Sequence, residues 1–209
     1  MFIDESIRKY LEDASSGSPT PGGGSVAALA GAAGVSMACM AANFTTGPKY
    51  QAIQESIQRL LGQCAALRDD LAEIIDKDAE AYASVGQAYA MPRSTPAEKE
   101  ARAQAIQNAL RTAMEPPLSA VRACRAALGH IRELADLANP GLITDVGVAA
   151  ILTEAALRAA RLNVEINLKG IKNQKVVTTI RAEMDEAQAQ ARRLCEETHS
   201  IVSRALQSK

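Results

Sequence analysis

Two stretches of this chain set apolar residues in alternating steps of four and three over many helical turns. The first runs through Ile53, Ile57, Leu60, Cys64, Leu67, Leu71, Ile74, Asp78, Ala81, Val85 and Ala88, the second through Val177, Ile180, Met184, Ala187, Ala191, Leu194, Thr198, Ile201 and Ala205. Residues so spaced share one side of an α-helix, and a seam of that length requires a helical partner along it. Aromatics make up only 3% of the chain, and β-branched runs are few, so little in the sequence favours a sheet. The expected fold is all-α: an up-and-down style helical bundle of long helices, dimeric, with residues 1–209 forming one domain. A chain of 209 residues can bury such a core without disulfides or metals.

Breakers divide the remainder. A short amphipathic helix around Ile3, Ile7, Tyr10 and Leu11 ends in the turn-rich stretch Ser15 to Gly24. A small-residue helix follows from about Ser25, and Gly47-Pro48 stops it. The first seam then occupies a helix from about Tyr50 to Pro92. Thr95-Pro96-Ala97-Glu98 has the form of a capping box with proline at the first helical position, and the helix it starts is expected to end before Pro116-Pro117. Another helix runs from about Leu118 to Asn139-Pro140-Gly141. Thr144 or Asp145 can cap the next one, which reaches about Lys169.

Charge excludes some function classes. With 23 Lys plus Arg against 24 Asp plus Glu, neither nucleic acid nor an anionic membrane is an expected partner. Val26 to Phe44 carries no formal charge, but it is mostly Ala and Gly, with Ser36 and Asn43, and reads as a buried helix rather than a membrane span. The start, Met1-Phe2-Ile3-Asp4-Glu5, lacks a basic region followed by an apolar run, so a cytoplasmic location is expected. Cys39, Cys64, Cys124 and Cys195 form no C-x-x-C pair and read as free thiols in a reducing compartment. His130 and His199 lack the paired spacing of zinc ligands, and no metal is expected.

Three groups of residues carry possible chemistry. Pro21-Gly22-Gly23-Gly24-Ser25 brings a bare backbone to the start of a helix, where free N–H groups favour anions or carbonyl oxygens; the same residues also serve as a tight turn with Ser25 as N-cap. Asp78 stands on an apolar seam, whereas Asp76 and Glu80 read as solvated charge. A seam carboxylate is paired internally, exposed at an end of the bundle, or held in a cleft with a perturbed pKa suited to proton transfer. Asn163 and Asn167, four apart in an apolar context on the helix that begins near Thr144-Asp145, need partners from neighbouring helices or from a polar heterocycle.

Together these stretches resemble the cyclodeaminase part of formiminotransferase-cyclodeaminase and the free-standing methenyltetrahydrofolate cyclohydrolases. The similarity covers nearly the whole chain. It is carried by Ser18-Pro19-Thr20-Pro21-Gly22-Gly23-Gly24-Ser25-Val26-Ala27-Ala28, by Asp78-Ala79-Glu80-Ala81-Tyr82, by Asp145-Val146-Gly147-Val148-Ala149-Ala150, and by Asn163-Val164-Glu165-Ile166-Asn167-Leu168. The resemblance implies a homodimer with a reduced-folate site near the subunit contact and no cofactor beyond the tetrahydrofolate that carries the one-carbon unit. It marks Asp78 as the catalytic carboxylate. It also places the glycine loop, Asp145, Asn163 and Asn167 around the substrate and Lys49 at the folate's glutamate tail. The chain departs from the family where Pro48 precedes Lys49 in place of consecutive basic residues, and where Thr144 and Val146 flank Asp145 in place of Ser and Ala. Ala120-Val121-Arg122-Ala123-Cys124-Arg125 is closer to the free-standing cyclohydrolases, and a free-standing protein with no attached formiminotransferase domain is expected. The departures also leave a non-catalytic dimeric helical folate-binding or scaffold protein as the alternative.

Overall fold

The structure, a computed structural model, describes residues 1–207. It is all-helical, with no strand among the described residues: α1 spans Ile7–Ala14, α2 Gly23–Asn43, α3 Gln54–Ala90, α4 Pro96–Leu137, α5 Ile143–Leu168 and α6 Gln174–Gln207. Short 3₁₀ turns at Phe2–Asp4, Pro48–Ile53 and Pro140–Leu142 precede α1, α3 and α5.

Both seams do what their spacing requires. Ile57, Leu60, Cys64, Leu71 and Ile74 are buried on α3, as are Val177, Met184, Ala187, Ala191 and Leu194 on α6, within one shared core. Full burial of one large aliphatic side chain contributes about 1.5–3 kcal/mol, so these rows are the main source of helix stability. Contacts between side chains give the relative directions. Gly24 faces Asp78 and Gly31 faces Leu71, so α2 and α3 run antiparallel; Gly23 meets Asn163 and Gly34 meets Thr153, so α2 and α5 do too. Arg122–Glu183 (2.6 Å) and Arg132–Glu197 (3.2 Å) lay α6 parallel to α4, while Arg161–Asp185 (2.5 Å) and Arg181–Glu165 (3.1 Å) lay it antiparallel to α5.

The small-residue α2 lies at the centre. A Cβ at Gly34 would come within 3.0 Å of the backbone nitrogen of Thr153, so glycine permits the close approach of α2 to α5 there. By length and apolarity, Gly23–Asn43 and Pro140–Leu168 would each cross a bilayer; here 61% of the apolar window in the first is buried inside the protein, as a core helix requires.

Several boundaries differ from expectation. α1 begins only at Ile7, and the first residues form a separate 3₁₀ turn held by Asp76, whose carboxylate accepts the Phe2 N–H at 2.6 Å and, more weakly, the Ile3 N–H at 3.4 Å. Asp76 is therefore buried and bonded, not solvated. Gly22, not Ser25, is the N-cap of α2. α5 starts at Ile143, ahead of Thr144 and Asp145, and has no side-chain cap. The largest departure is α4, which runs unbroken through Pro116 and Pro117. An interior proline costs about 3 kcal/mol because it removes an N–H and crowds the carbonyl four residues back. Burial of Leu110, Ala113 and Met114 on one side and Leu118, Val121 and Cys124 on the other offsets that cost. The expected capping box at Thr95 and Glu98 is present.

Candidate active site

Asp78 lies on the inner side of α3, against the first turn of α2. A helix start needs acceptors for its free N–H groups, and Gly22 has no side chain to supply one. Asp78 supplies it from the neighbouring helix: its Oδ2 accepts the Ser25 N–H at 3.0 Å. Room for the carboxylate exists only because residue 24 is glycine, since a Cβ there would lie 2.5 Å from Asp78 Cγ. Ser25 itself is fully buried, and its hydroxyl meets the Tyr10 hydroxyl at 2.8 Å, which fastens α1 beneath the loop. Pro21, preceded by a cis peptide bond, is buried as well.

No ion pair reaches Asp78 among the described residues. Burial pushes its carboxyl above the usual range, and the Ser25 N–H opposes that shift only in part. Of the three roles open to a seam carboxylate, internal pairing with a cation is thus not the one found.

The carboxylate borders a cavity of about 580 Å³. Gly22, Gly23 and Gly24 form one side, Asn163 and Asn167 a second, and Tyr82, Val85, Tyr89, Leu110 and Ile166 an apolar shelf. The asparagine nitrogens are already engaged. Asn163 Nδ2 donates to the Ala159 carbonyl at 3.0 Å, and Asn167 Nδ2 donates to the carbonyls of Asn163 (2.9 Å) and Ala113 (3.3 Å). All three partners are acceptors, so each amide turns its nitrogen to them and has its oxygen left to offer a ligand. The Ala113 carbonyl is the one that Pro117, four residues on, cannot bond within the helix. One wall of the cavity is therefore rich in acceptors, the loop adds the first N–H groups of α2, and the tyrosines give a flat apolar face.

Gly22, Gly23, Gly24, Asp78, Asn163 and Asn167 meet in this cavity, with Pro21 and Ser25 directly behind it. Lys49 and Asp145 do not line it. Lys49 follows the C-terminus of α2, a helix about 30 Å long whose N-terminus forms the loop. Asp145 lies at the start of α5, which runs antiparallel to α2, and so sits at that same far end. The apolar shelf was not anticipated, although Tyr82, Val85 and Tyr89 follow Asp78 by four, seven and eleven positions and so share its helix face. Lys169, at the cavity edge, gave no signal of its own. A larger groove of about 800 Å³ opens between α3 and α4, rimmed by Asp70, Glu73, Glu80 and Glu115, but none of the expected catalytic or substrate-binding residues lines it.

Residues 6–186 match the family model described as formiminotransferase-cyclodeaminase. The chain is 36% identical over 203 residues to methenyltetrahydrofolate cyclohydrolase of Methylorubrum extorquens, covering 97% of this chain and 98% of that protein. It is 32% identical over 195 residues to formimidoyltransferase-cyclodeaminase of Mus musculus, covering 91% of this chain but 36% of that longer protein. Among solved structures, formiminotetrahydrofolate cyclodeaminase from Thermotoga maritima superposes with a TM-score of 0.87 at 27% identity, covering 97% of this chain and 98% of that one. A glycine-started helix, a carboxylate seated on it and two oriented asparagines thus occur in a chain alike over its length to these proteins, and it belongs to the formiminotransferase-cyclodeaminase family.

Proposed function

We propose that this chain is a folate one-carbon enzyme that hydrolyses methenyltetrahydrofolate to formyltetrahydrofolate, or carries out the related cyclisation of formiminotetrahydrofolate with release of ammonia. The observation that carries the reading is Asp78: a carboxyl with no ion pair among the described residues, raised in pKa by burial, and facing a cavity with a flat apolar shelf. Hydrolysis adds water to the methenyl carbon, and the cationic bridge opens to a neutral formyl group with net loss of one proton. Asp78 accepts the proton of the attacking water and can return it to the ring nitrogen as the carbon–nitrogen bond breaks. The cationic bridge lowers the pKa of Asp78 on binding, which favours its basic form when a base is needed. In the cyclisation the same carboxyl delivers a proton to departing ammonia. The oxygens of Asn163 and Asn167 suit the N–H donors of a reduced pterin, which lies against Tyr82 or Tyr89. The long match to a cyclohydrolase favours hydrolysis of the two.

The rest of the reading concerns assembly. The helices are read as an up-and-down style bundle, residues 1–209 as one domain, and the working unit as a homodimer in the cytoplasm. No cofactor is required beyond tetrahydrofolate, because the chemistry is proton transfer. Support for the dimer is an outward apolar stripe on α2, Val26, Ala30, Ala33, Met37, Met40 and Phe44, beside Val148, Ile151, Leu162 and Ile166 on α5. Phe44 is 60% exposed and Leu162 71%. A two-fold axis crossing the middle of α2 sets Val26 of one copy against Phe44 of the other. The partner's Lys49 and Asp145 then approach the cavity that this copy's own Lys49 and Asp145 cannot reach.

The test follows the near-ultraviolet absorbance of methenyltetrahydrofolate. Its loss on adding protein, faster than the buffer rate, is expected for the hydrolase, and its gain from formiminotetrahydrofolate for the cyclisation. Absence of both would leave only a folate-binding scaffold.

A further inference from the structure

Tyr82 and Tyr89, seven positions apart on one face of α3, both line the cavity and are 52% and 51% exposed. Rings so open to water add little to the core. Yet the two are held differently. The Tyr82 side chain makes no hydrogen bond or ring contact among the described residues, whereas Tyr89 is held by Arg102 of α4. The Arg102 guanidinium donates to the Tyr89 carbonyl from Nη2 at 3.0 Å and from Nε at 3.3 Å, and it lies over the Tyr89 ring, 5.6 Å from the centre.

Local sequence offers Arg102 another partner. Glu98 precedes it by four positions on α4, the order and spacing that most favour an ion pair on a helix. Glu98 instead turns back to accept the N–H groups of Ser94 and Thr95, both at 2.8 Å, and Arg102 joins no ion pair among the described residues. Its guanidinium is committed to Tyr89. The Tyr89 carbonyl, in the last turn of α3, has no N–H of its own helix to meet, and a cation there also faces the negative end of the helix dipole. Capping alone would need only a donor; the flat cation over the ring fixes backbone and side chain of one residue together.

We propose that Arg102 is a positioning residue for substrate binding, holding the Tyr89 ring as the fixed wall of the cavity on which the flat pterin of the folate lies. The inference rests on the folate reading above and chooses Tyr89 over Tyr82 as the stacking face. A half-exposed ring left free has to be ordered by the ligand itself, at a cost of about two- to tenfold in affinity, and Arg102 orders it beforehand.

The experiment measures the dissociation constant of tetrahydrofolate with a single glutamate, and KM and kcat with methenyltetrahydrofolate, for the wild type, Arg102→Ala, Tyr89→Ala and the double variant. Arg102→Ala is expected to weaken binding about fivefold with kcat within about twofold, and Tyr89→Ala to weaken it about tenfold or more. The double variant is expected to match Tyr89→Ala alone, since Arg102 acts only through that ring. Arg102→Lys, which keeps a donor for the Tyr89 carbonyl but not the flat stack, should lose affinity severalfold with its thermal midpoint near the wild-type value. Unchanged affinity in Arg102→Ala, losses that multiply in the double variant, or affinity lost in Arg102→Lys only together with stability overturns the positioning role while the one-carbon function stands. A wild type that binds no tetrahydrofolate overturns that function and this inference with it.

Discussion

With asparagine at position 78, the oxygen that accepts the Ser25 N–H is retained and the exchangeable proton is lost. If Asp78 moves the proton, Asp78→Asn lowers turnover by roughly two to four orders of magnitude while folate affinity stays within about tenfold. Stability responds in the opposite sense to that of a salt-bridged carboxylate. A folded-state pKa raised by burial means the native protein holds this proton more tightly than the unfolded chain. Stability from this group therefore falls as pH rises through the unfolded value near 3.8 and stays lower above the folded one. The neutral variant escapes that loss, so its thermal midpoint at pH 7 equals or exceeds that of the wild type, and the difference closes in acid. A lower midpoint at pH 7 would show that the carboxylate is structural. Asp78 was legible in the sequence because a charge on an apolar seam is out of place. Asp76 was not: spacing gives the helix face a residue occupies but not that Phe2 and Ile3 would come to lie over it.

Pro117 shows the limit of local rules at the level of a helix. Read alone, two adjacent prolines end a helix; here α4 continues, because both of its halves bury apolar side chains in the one shared core. Seams, turns and the Thr95 capping box were legible, since each depends on residues close in sequence, whereas the continuity of α4 depends on what covers it. The carbonyl left free at Ala113 acts with that of Asn163 to fix the Asn167 amide and with it the oxygen turned toward the cavity. Pro117→Ala restores a helical N–H to the Ala113 carbonyl and leaves the Asn167 amide held by the Asn163 carbonyl alone of those two. The expected outcome is unchanged or higher thermal stability, a KM for folate raised about three- to tenfold, and kcat within about twofold. A fall in kcat with KM unchanged would place Pro117 outside substrate positioning.

At the scale of the molecule, Lys49 and Asp145 make the dimer testable by more than its mass. If the partner's Lys49 serves the site, then Asp78→Asn and Lys49→Ala proteins, each impaired alone, form mixed dimers on co-refolding in which one cavity has both native residues. Activity of the mixture should exceed the sum of the two separate preparations severalfold, approaching about a quarter of wild type for random pairing. A strictly additive result would place Lys49 outside the shared site. The near-zero net charge gave no hint of the internal sorting of charge, with carboxylates rimming the α3–α4 groove and cations gathered where α3, α4 and the α5–α6 connection meet. Composition sums over the surface and so hides such separation. The central helix carries one more consequence, for the order in which the chain folds. α2 has no side-chain cap of its own at its start: its first turn is closed by a carboxylate 53 residues later, while past its end, where Thr45 caps the Ala41 carbonyl locally, the carbonyl of Phe44 is bonded by Asn139, 95 residues later. Rich in glycine and alanine, and too short of apolar bulk to persist alone, it has its first turn closed only when α3 arrives and its last free carbonyl bonded only when the turn before α5 does. In a chain emerging amino end first, the helix at the heart of the molecule is among the earliest to be made and must wait for most of the others before it can be completed.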